Sequence, residues 1–499
     1  MQKRFMLPFL KDLRQTLAVA FALLFAAAGS RAEDAPQQAK APVKDNANER
    51  HELFERVLKL NQVQEPELSA GEMRKAFDAL IAATRAEVEK AESPREKVRA
   101  LNKMLLDERD VSYLSNVYWR DATLAASLLR KHGNCLSTST LYMVVGDTLN
   151  LPIHMVLIPR HAFVRWDDGK ERINIETTNK GFEMSDKDYL RNADQPSEDD
   201  IDKLGWCKSL SADEALAELN VTCANHRCGE NKIDDALNFL DKALRLAPDR
   251  SDYALQRLTI MASIPGKRDA ARRQIVRLTD ERHRRSLPPS VVTHALTFLA
   301  EDAAGGGDHE KEREYLLAAF VQAPKPMQQS VLSQLAFCLR ALKDYHGAVR
   351  YMELAVTLFP DDVSLYNLAI LQKNAGDLKG SLETIDKALA LNPESWNLQI
   401  LKAGYLVADG QRERGTELFE TLERPRADEE FWAIMQCAFW VQCRERDEFY
   451  VNFEHALQTA KSPRIMEWVD QEPDLDFLRD DLKFQELILK HRPRLMDKK

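Results

Sequence analysis

Over most of the chain apolar residues recur every three or four positions, and in one short region the period drops to two. From about His51 to Leu129 the pattern is helical. "GEMRKAFDALIAATRAEVEKA" carries one apolar face, and "SPREKVRALNKMLL" offers Ser93 as a cap with Pro94 in the first helical position. Gly133-Asn134 reads as a turn. Beyond it Leu136, Thr140, Leu141, Val144 and Val145 fall on one side of a helix that starts at Cys135. The next three segments, Ile153–Pro159, His161–Asp168 and Glu171–Thr178, are short, β-branched and partly alternating. Asp168-Gly169 supplies a hairpin turn between the last two. The pattern predicts an α+β domain over residues 51–205.

Past residue 206 the helical period returns, and it repeats. Pro248, Pro324, Pro360 and Pro393 each follow an alanine by five residues: Ala243, Ala319, Ala355 and Ala388. A further alanine, Ala224, Ala336 or Ala369, stands 24 residues before Pro248, Pro360 and Pro393, and Ala403 follows Ala369 by 34. "NKIDDALNFLDKALRLAPD", "KDYHGAVRYMELAVTLFPD" and "GDLKGSLETIDKALALNPE" superimpose directly. This resembles the tetratricopeptide repeat family, in which small residues sit where paired helices touch and a proline ends each repeat. The expectation is an all-α solenoid of antiparallel helix pairs over residues 206–475, with a helical tail over 476–499. The resemblance implies a protein or peptide partner held by the repeats.

The ends and the composition narrow the functional class. Lys3, Arg4, Lys11 and Arg14 precede an apolar run, Leu17 to Ala28, of 12 residues. That is shorter than the ~20 residues a spanning helix needs. With Ser30–Ala32 as a small-residue cleavage site, residues 1–32 read as a signal peptide. Residues 33–50 read as a flexible polar linker. The expectation is an exported protein, periplasmic or extracellular, with no transmembrane span after cleavage. Removing residues 1–32 takes the formal charge from −9 to −13. So acidic a chain is a poor partner for nucleic acid. The basic run Lys267, Arg268, Arg272, Arg273, Arg277, Arg282, Arg284, Arg285 reads as a solvated helix face. Seven cysteines leave at least one unpaired if the others bridge, and Cys135 is the one expected to be free. Cys223, His226 and Cys228 suggest a metal site only superficially, because Cys223 falls on a core position of a repeat helix. No metal and no cofactor are expected.

The candidate chemistry lies where the period changes. Cys135 opens a helix, where free N–H groups and the helix dipole favour a thiolate. His161 opens the second strand, and Glu176 lies on the next, brought alongside by the hairpin. A nucleophilic thiol needs a base within reach, and the base needs an acceptor that fixes its tautomer. Strand alternation puts Asn174 on the same face as Glu176, so Asn174 is a second candidate to orient His161.

Three motifs, "GNCLS" at Gly133–Ser137, "PRHAFVR" at Pro159–Arg165 and "NIETTNKG" at Asn174–Gly181, resemble the transglutaminase-like superfamily. The resemblance covers about residues 90–185 and is closest to the SirB-type branch, in which such a domain precedes tetratricopeptide repeats. It implies a papain-like α+β core with a Cys–His–Asp triad. By position Cys135 is the nucleophile, His161 the base, and Glu176 stands where the superfamily usually has Asp. The Cys135 backbone N–H is the expected oxyanion donor, with Asn134 or Trp119 as further candidates. The activity implied is that of a cysteine-type amide hydrolase or transamidase. Because Glu is one methylene longer than Asp, a non-catalytic scaffold with a transglutaminase-like binding module stands as the alternative.

Overall fold

The computed structural model describes residues 51–114, 119–193, 196–423 and 429–496. The expected signal peptide and linker lie outside the described residues. These residues form two compact units. One comprises residues 51–295 with 324–326, and the other 296–323 with 327–496.

The first unit opens with three helices, α1 (Glu52–Gln64), α2 (Ala70–Val88) and α3 (Pro94–Asn102). Ser93 and Glu96 close a capping box at the start of α3, with Pro94 inside it. Two short parallel strands follow, β1 (Ser112–Tyr113) and β2 (His132–Gly133), and then α4 (Cys135–Thr148). A three-stranded antiparallel sheet is built from β3 (Ile153–Ile158), β4 (His161–Asp167) and β5 (Arg172–Ile175). The β4–β5 turn falls at Asp168–Gly169, where Asp168 Oδ1 accepts from the N–H groups of Lys170 and Glu171 and Gly169 has φ +79°.

Alternation along β3 explains how the sheet is covered. Met155 and Leu157 join Leu141, Tyr142, Val144 and Val145 of α4 in the main core. Val156 and Ile158 face the other way and pack with Phe163, Tyr189 and Ala193, bringing in α5 (Asp186–Asn192). Gly146 lets α4 approach β3 closely; a Cβ there would lie 2.6 Å from Cβ of Ile153. After α6 (Glu198–Leu204), residues 207–210 pair with the free edge of β3: Cys207 N–H donates to Leu157 O at 3.0 Å and Leu210 N–H to Met155 O at 2.9 Å. The unit continues through α7 (Ala212–Gly229), α8 (Ile233–Leu246), α9 (Ser251–Ala262), α10 (Arg268–Thr279) and α11 (Glu281–Arg284). Leu216 and Leu219 of α7 are part of the main core.

Helix α12 (Pro289–Gly305) runs from one unit into the other. The second unit is helical: α13 (His309–Gln322), α14 (Lys325–Ala341), α15 (Tyr345–Leu358), α16 (Asp362–Asn374), α17 (Leu378–Leu391), α18 (Trp396–Ala408), α19 (Arg412–Glu420), α20 (Glu429–Cys443), α21 (Arg446–Thr459), α22 (Arg464–Gln471) and α23 (Leu482–Met496). A 3-10 turn, Pro473–Leu478, joins the last two. The alanines singled out by the repeat pattern, at 243, 319, 355 and 388, are all fully buried, as are Ala224, Ala336, Ala369 and Ala403. Among the described residues no helix is long and apolar enough to cross a membrane.

Candidate active site

The site begins with how the chain enters α4. Tyr113 pairs with Gly133 in the parallel β1–β2 ladder, and Asn134 then caps the helix. Asn134 Oδ1 accepts from the N–H groups of Leu136 (3.0 Å) and Ser137 (3.2 Å), and Ser137 Oγ accepts from Asn134 N–H (3.0 Å). Gly133 is required beside this box, since a Cβ there would fall 2.1 Å from Ser137 Oγ. The cap uses the Leu136 and Ser137 donors, and Thr138 N–H returns to Asn134 O. The Cys135 N–H, in the first turn, has no acceptor within the helix. Asn134 is therefore a capping residue. Trp119 stacks on His226 at 3.9 Å between ring centroids.

His161 is the first residue of β4. Its Nε2 lies 2.7 Å from Glu176 Oε2, and the Cys135 side chain is near enough to act on the ring's titration. Burial, the largest influence, opposes charging the ring. The hydrogen bonds to Cys135 and Glu176, with their charges, outweigh it and hold the imidazole's pKa up at about 10. Glu176 is only 5% exposed, one residue past the end of β5, in a bridge with Phe182. Burial pushes its carboxyl up, but His161 and the Thr178 donors win and hold it below the usual range. Those donors are Thr178 N–H at 2.9 Å and Thr178 Oγ1 at 2.5 Å, both on Oε1. Both carboxylate oxygens are thus engaged, one on the ring and one on its own turn.

The turn "ETTNKG" also ties Glu176 to the helix that Cys135 opens. Thr177 Oγ1 lies 2.8 Å from Thr138 Oγ1 and 3.3 Å from Ser139 Oγ, all three buried. Glu176 O accepts from Gly181 N–H at 2.9 Å, and Gly181 has φ +73°. The structure therefore brings Cys135, His161 and Glu176 together.

It does not bring Asn174 to the ring. Asn174 Oδ1 accepts from Arg165 Nε at 2.7 Å, and Nδ2 donates to Met184 O at 2.8 Å and Asp186 Oδ1 at 2.7 Å. Arg165, 1% exposed, completes the network through Asp186 (2.5 Å) and Cys207 O (2.7 Å). Asn174 shares the face with Glu176, but a buried guanidinium needs acceptors and takes it.

The alternation of the strands did not reveal two tyrosines. Tyr113, 48% exposed on β1, stands in the field of Cys135 and Glu176; burial first, then those two charges, push its hydroxyl up. Tyr189 stacks on Phe163 at 3.8 Å, with its ring 6.2 Å from that of His161. Burial and the Glu176 charge keep its hydroxyl protonated. Neither residue carries a sequence signal beyond being aromatic. All seven cysteines are free, so no disulfide holds the site.

A thiol, imidazole and carboxylate in this order, at a helix start with a spare N–H, is the arrangement that acyl-transfer chemistry needs. The family model of the transglutaminase-like superfamily matches residues 71–203, the segment that holds all three. The chain carries a transglutaminase-like domain. A tetratricopeptide repeat model matches residues 330–362, so the transglutaminase-like domain precedes the repeats. No curated protein matches the chain. Solved structures similar to it include a tetratricopeptide repeat protein from Parabacteroides merdae, at 16% identity over 51% of this chain and 98% of that one, TM-score 0.37. A thermophilic repeat protein from Thermus thermophilus is 19% identical over 38% of this chain and 99% of its own, TM-score 0.28. YrrB, described as a repeat protein with an unusual peptide-binding site, is 13% identical over 47% and 90%, TM-score 0.25.

Proposed function

We propose that the transglutaminase-like domain is a cysteine-dependent acyl-transfer enzyme. The observation that carries the reading is His161, with Nε2 2.7 Å from Glu176 Oε2 and a pKa that the neighbouring Cys135 side chain helps to raise. Cys135 thiolate attacks the carbonyl carbon of an amide, and the Cys135 N–H faces the oxyanion that forms. The imidazolium returns its proton to the leaving nitrogen as the C–N bond breaks, leaving an acyl-thioester. Water or an amine, deprotonated by His161, then attacks the thioester and releases the thiolate. The first acceptor makes the protein a peptidase or amidase, the second a transamidase. Glu176 stays ionised and holds the imidazolium.

The extra methylene of Glu176 motivated the scaffold alternative. Here the longer side chain reaches Nε2 while its other oxygen anchors in its own turn, which supports the catalytic reading. The repeats hold a protein or peptide partner, and residues 1–32 direct export. The order of a transglutaminase-like domain before repeats supports the resemblance to the SirB-type branch. The test is the rate of Cys135 alkylation against pH, with capture of an acyl-enzyme by mass spectrometry after incubation with envelope extract. A thiol that reacts no faster near neutral pH than a free cysteine would favour the scaffold.

A further inference from the structure

Two aromatic side chains stand out in water. Among the described residues Tyr113, 48% exposed, and Phe182, 58% exposed, are the only exposed residues of the Phe, Trp and Tyr types; the other large exposed apolar side chains are Val or Leu. Among the described residues neither ring stacks on another, and the Tyr113 hydroxyl makes no hydrogen bond. Scattered single apolar residues are normal on a protein surface. These two are not scattered, because the backbone holds both of them at Cys135, His161 and Glu176.

Tyr113 lies in register with Gly133, two residues before Cys135. Ser112 N–H donates to Lys131 O at 3.0 Å and Leu114 N–H to Gly133 O at 2.9 Å, so the backbone is pinned on both sides of the ring. Gly133 offers no side chain to cover it. Phe182 is pinned on the other side of the site. Its O accepts from Glu176 N–H at 3.0 Å, and its N–H donates to Asn179 O at 2.9 Å. Partners across an antiparallel bridge share a face, with Cβ atoms about 4.5–5.5 Å apart. Phe182 therefore stands beside the carboxylate that holds His161. The turn cannot carry the ring elsewhere: a Cβ at Gly181 would fall 2.0 Å from Asn102 Nδ2, and Asn102 Oδ1 accepts from Tyr142 of α4 at 3.0 Å. A ring exposed on a fixed backbone has little freedom to lose when something covers it.

We propose that Tyr113 and Phe182 are specificity-determining residues that bracket the amide to be cleaved, and that the substrate is a peptide segment with bulky apolar, preferably aromatic, side chains on both sides of that amide. The acyl group ends on Cys135, so its side chain meets Tyr113. The leaving nitrogen takes its proton from His161, whose acid neighbours Phe182, so the following side chain meets Phe182. The direction of the amide in this arrangement rests on the acyl-transfer reading of the site. The two rings supply apolar area and ring-to-ring contact, which every base-free, uncharged aromatic side chain can use.

The test uses the full chain carrying Cys135→Ala, so that ligands bind without turnover. Three probes, N-acetyl-Phe-Ala-amide, N-acetyl-Ala-Phe-amide and N-acetyl-Ala-Ala-amide, are titrated by ligand-observed NMR. Each phenylalanine probe should bind about tenfold more tightly than the Ala-Ala probe. Tyr113→Ser should erase the preference for Phe-Ala and keep that for Ala-Phe, and Phe182→Ser should do the reverse. Tyr113→Phe and Phe182→Tyr retain the rings and should retain both preferences. Equal affinity for all three probes, preferences that survive the serine variants, or loss of both preferences from either serine variant alone overturns the proposal. Iodoacetamide labelling of the wild-type chain separates this from the reading of the thiol. An unreactive Cys135 beside intact probe selectivity removes the acyl-transfer chemistry and keeps the two rings as a binding site. A reactive Cys135 with no probe selectivity keeps the chemistry and overturns the proposal.

Discussion

His161 Nε2 and Glu176 Oε2 stand 2.7 Å apart, and the same carboxylate's other oxygen is held by Thr178. The acid cannot swing away without giving up two donors, so the ring's orientation is fixed from behind. Glu176→Gln keeps the size and removes the charge. The His161 pKa should fall from about 10, as read by NMR of the ring nitrogens. Cys135 alkylation at neutral pH should slow by about 10²–10⁴-fold, by analogy with carboxylate-to-amide changes in other triads. An unchanged histidine titration would mean that Glu176 does not govern the ring.

Asn174→Ala should act on stability instead. It strips an acceptor from Arg165 and a donor from Asp186 in a buried network. Urea unfolding should show a loss of about 1–3 kcal/mol, with the pH profile of alkylation preserved. A profile displaced as far as that of Glu176→Gln would place Asn174 in the site after all.

The raised His161 pKa fixes the sign of a pH effect. A base bound more tightly by the proton in the folded state stabilises fully below its unfolded value of 6.5, and this contribution is lost as pH rises through about 10. Glu176 works in the opposite sense: its pKa is lowered from 4.5, so its contribution is present above that value and lost on acidification through the folded one. The pair is thus worth most between about 4.5 and 6.5. The difference in urea midpoint between wild type and His161→Gln should shrink from pH 6.5 towards 10. A difference constant across that range contradicts it.

Ala388 is fully buried in a cluster with Ile385, Leu398 and Tyr405. Ala388→Leu should destabilise by about 1–3 kcal/mol through overpacking, seen in the denaturant midpoint. No loss would place the repeat register elsewhere.

Cys135 and His161 were legible because each opens an element, and Glu176 because the Asp168-Gly169 hairpin brings its segment alongside that of His161. The buried alanines were legible for a similar reason, through their spacing to a proline. What escaped depends on contacts between distant segments. Asn174 and Glu176 share a face, and nothing local says that Arg165 will claim the amide and leave the acid to the ring. Tyr113 enters the site only through the parallel ladder with Gly133. Only the folded chain sets Asp474 against Lys373 and Gln442.

The pairing of residues 207–210 with β3 has a consequence for handling the molecule in pieces. Sequence patterning would end the transglutaminase-like domain at residue 205. Cut there, β3 would present bare Met155 and Leu157 carbonyls along an apolar strand, the kind of surface that recruits a second chain. The fragment 51–205 should therefore associate on a sizing column. A fragment ending beyond α7 should run as a monomer, because it carries its own edge cover and the Leu216 and Leu219 side chains that finish its core.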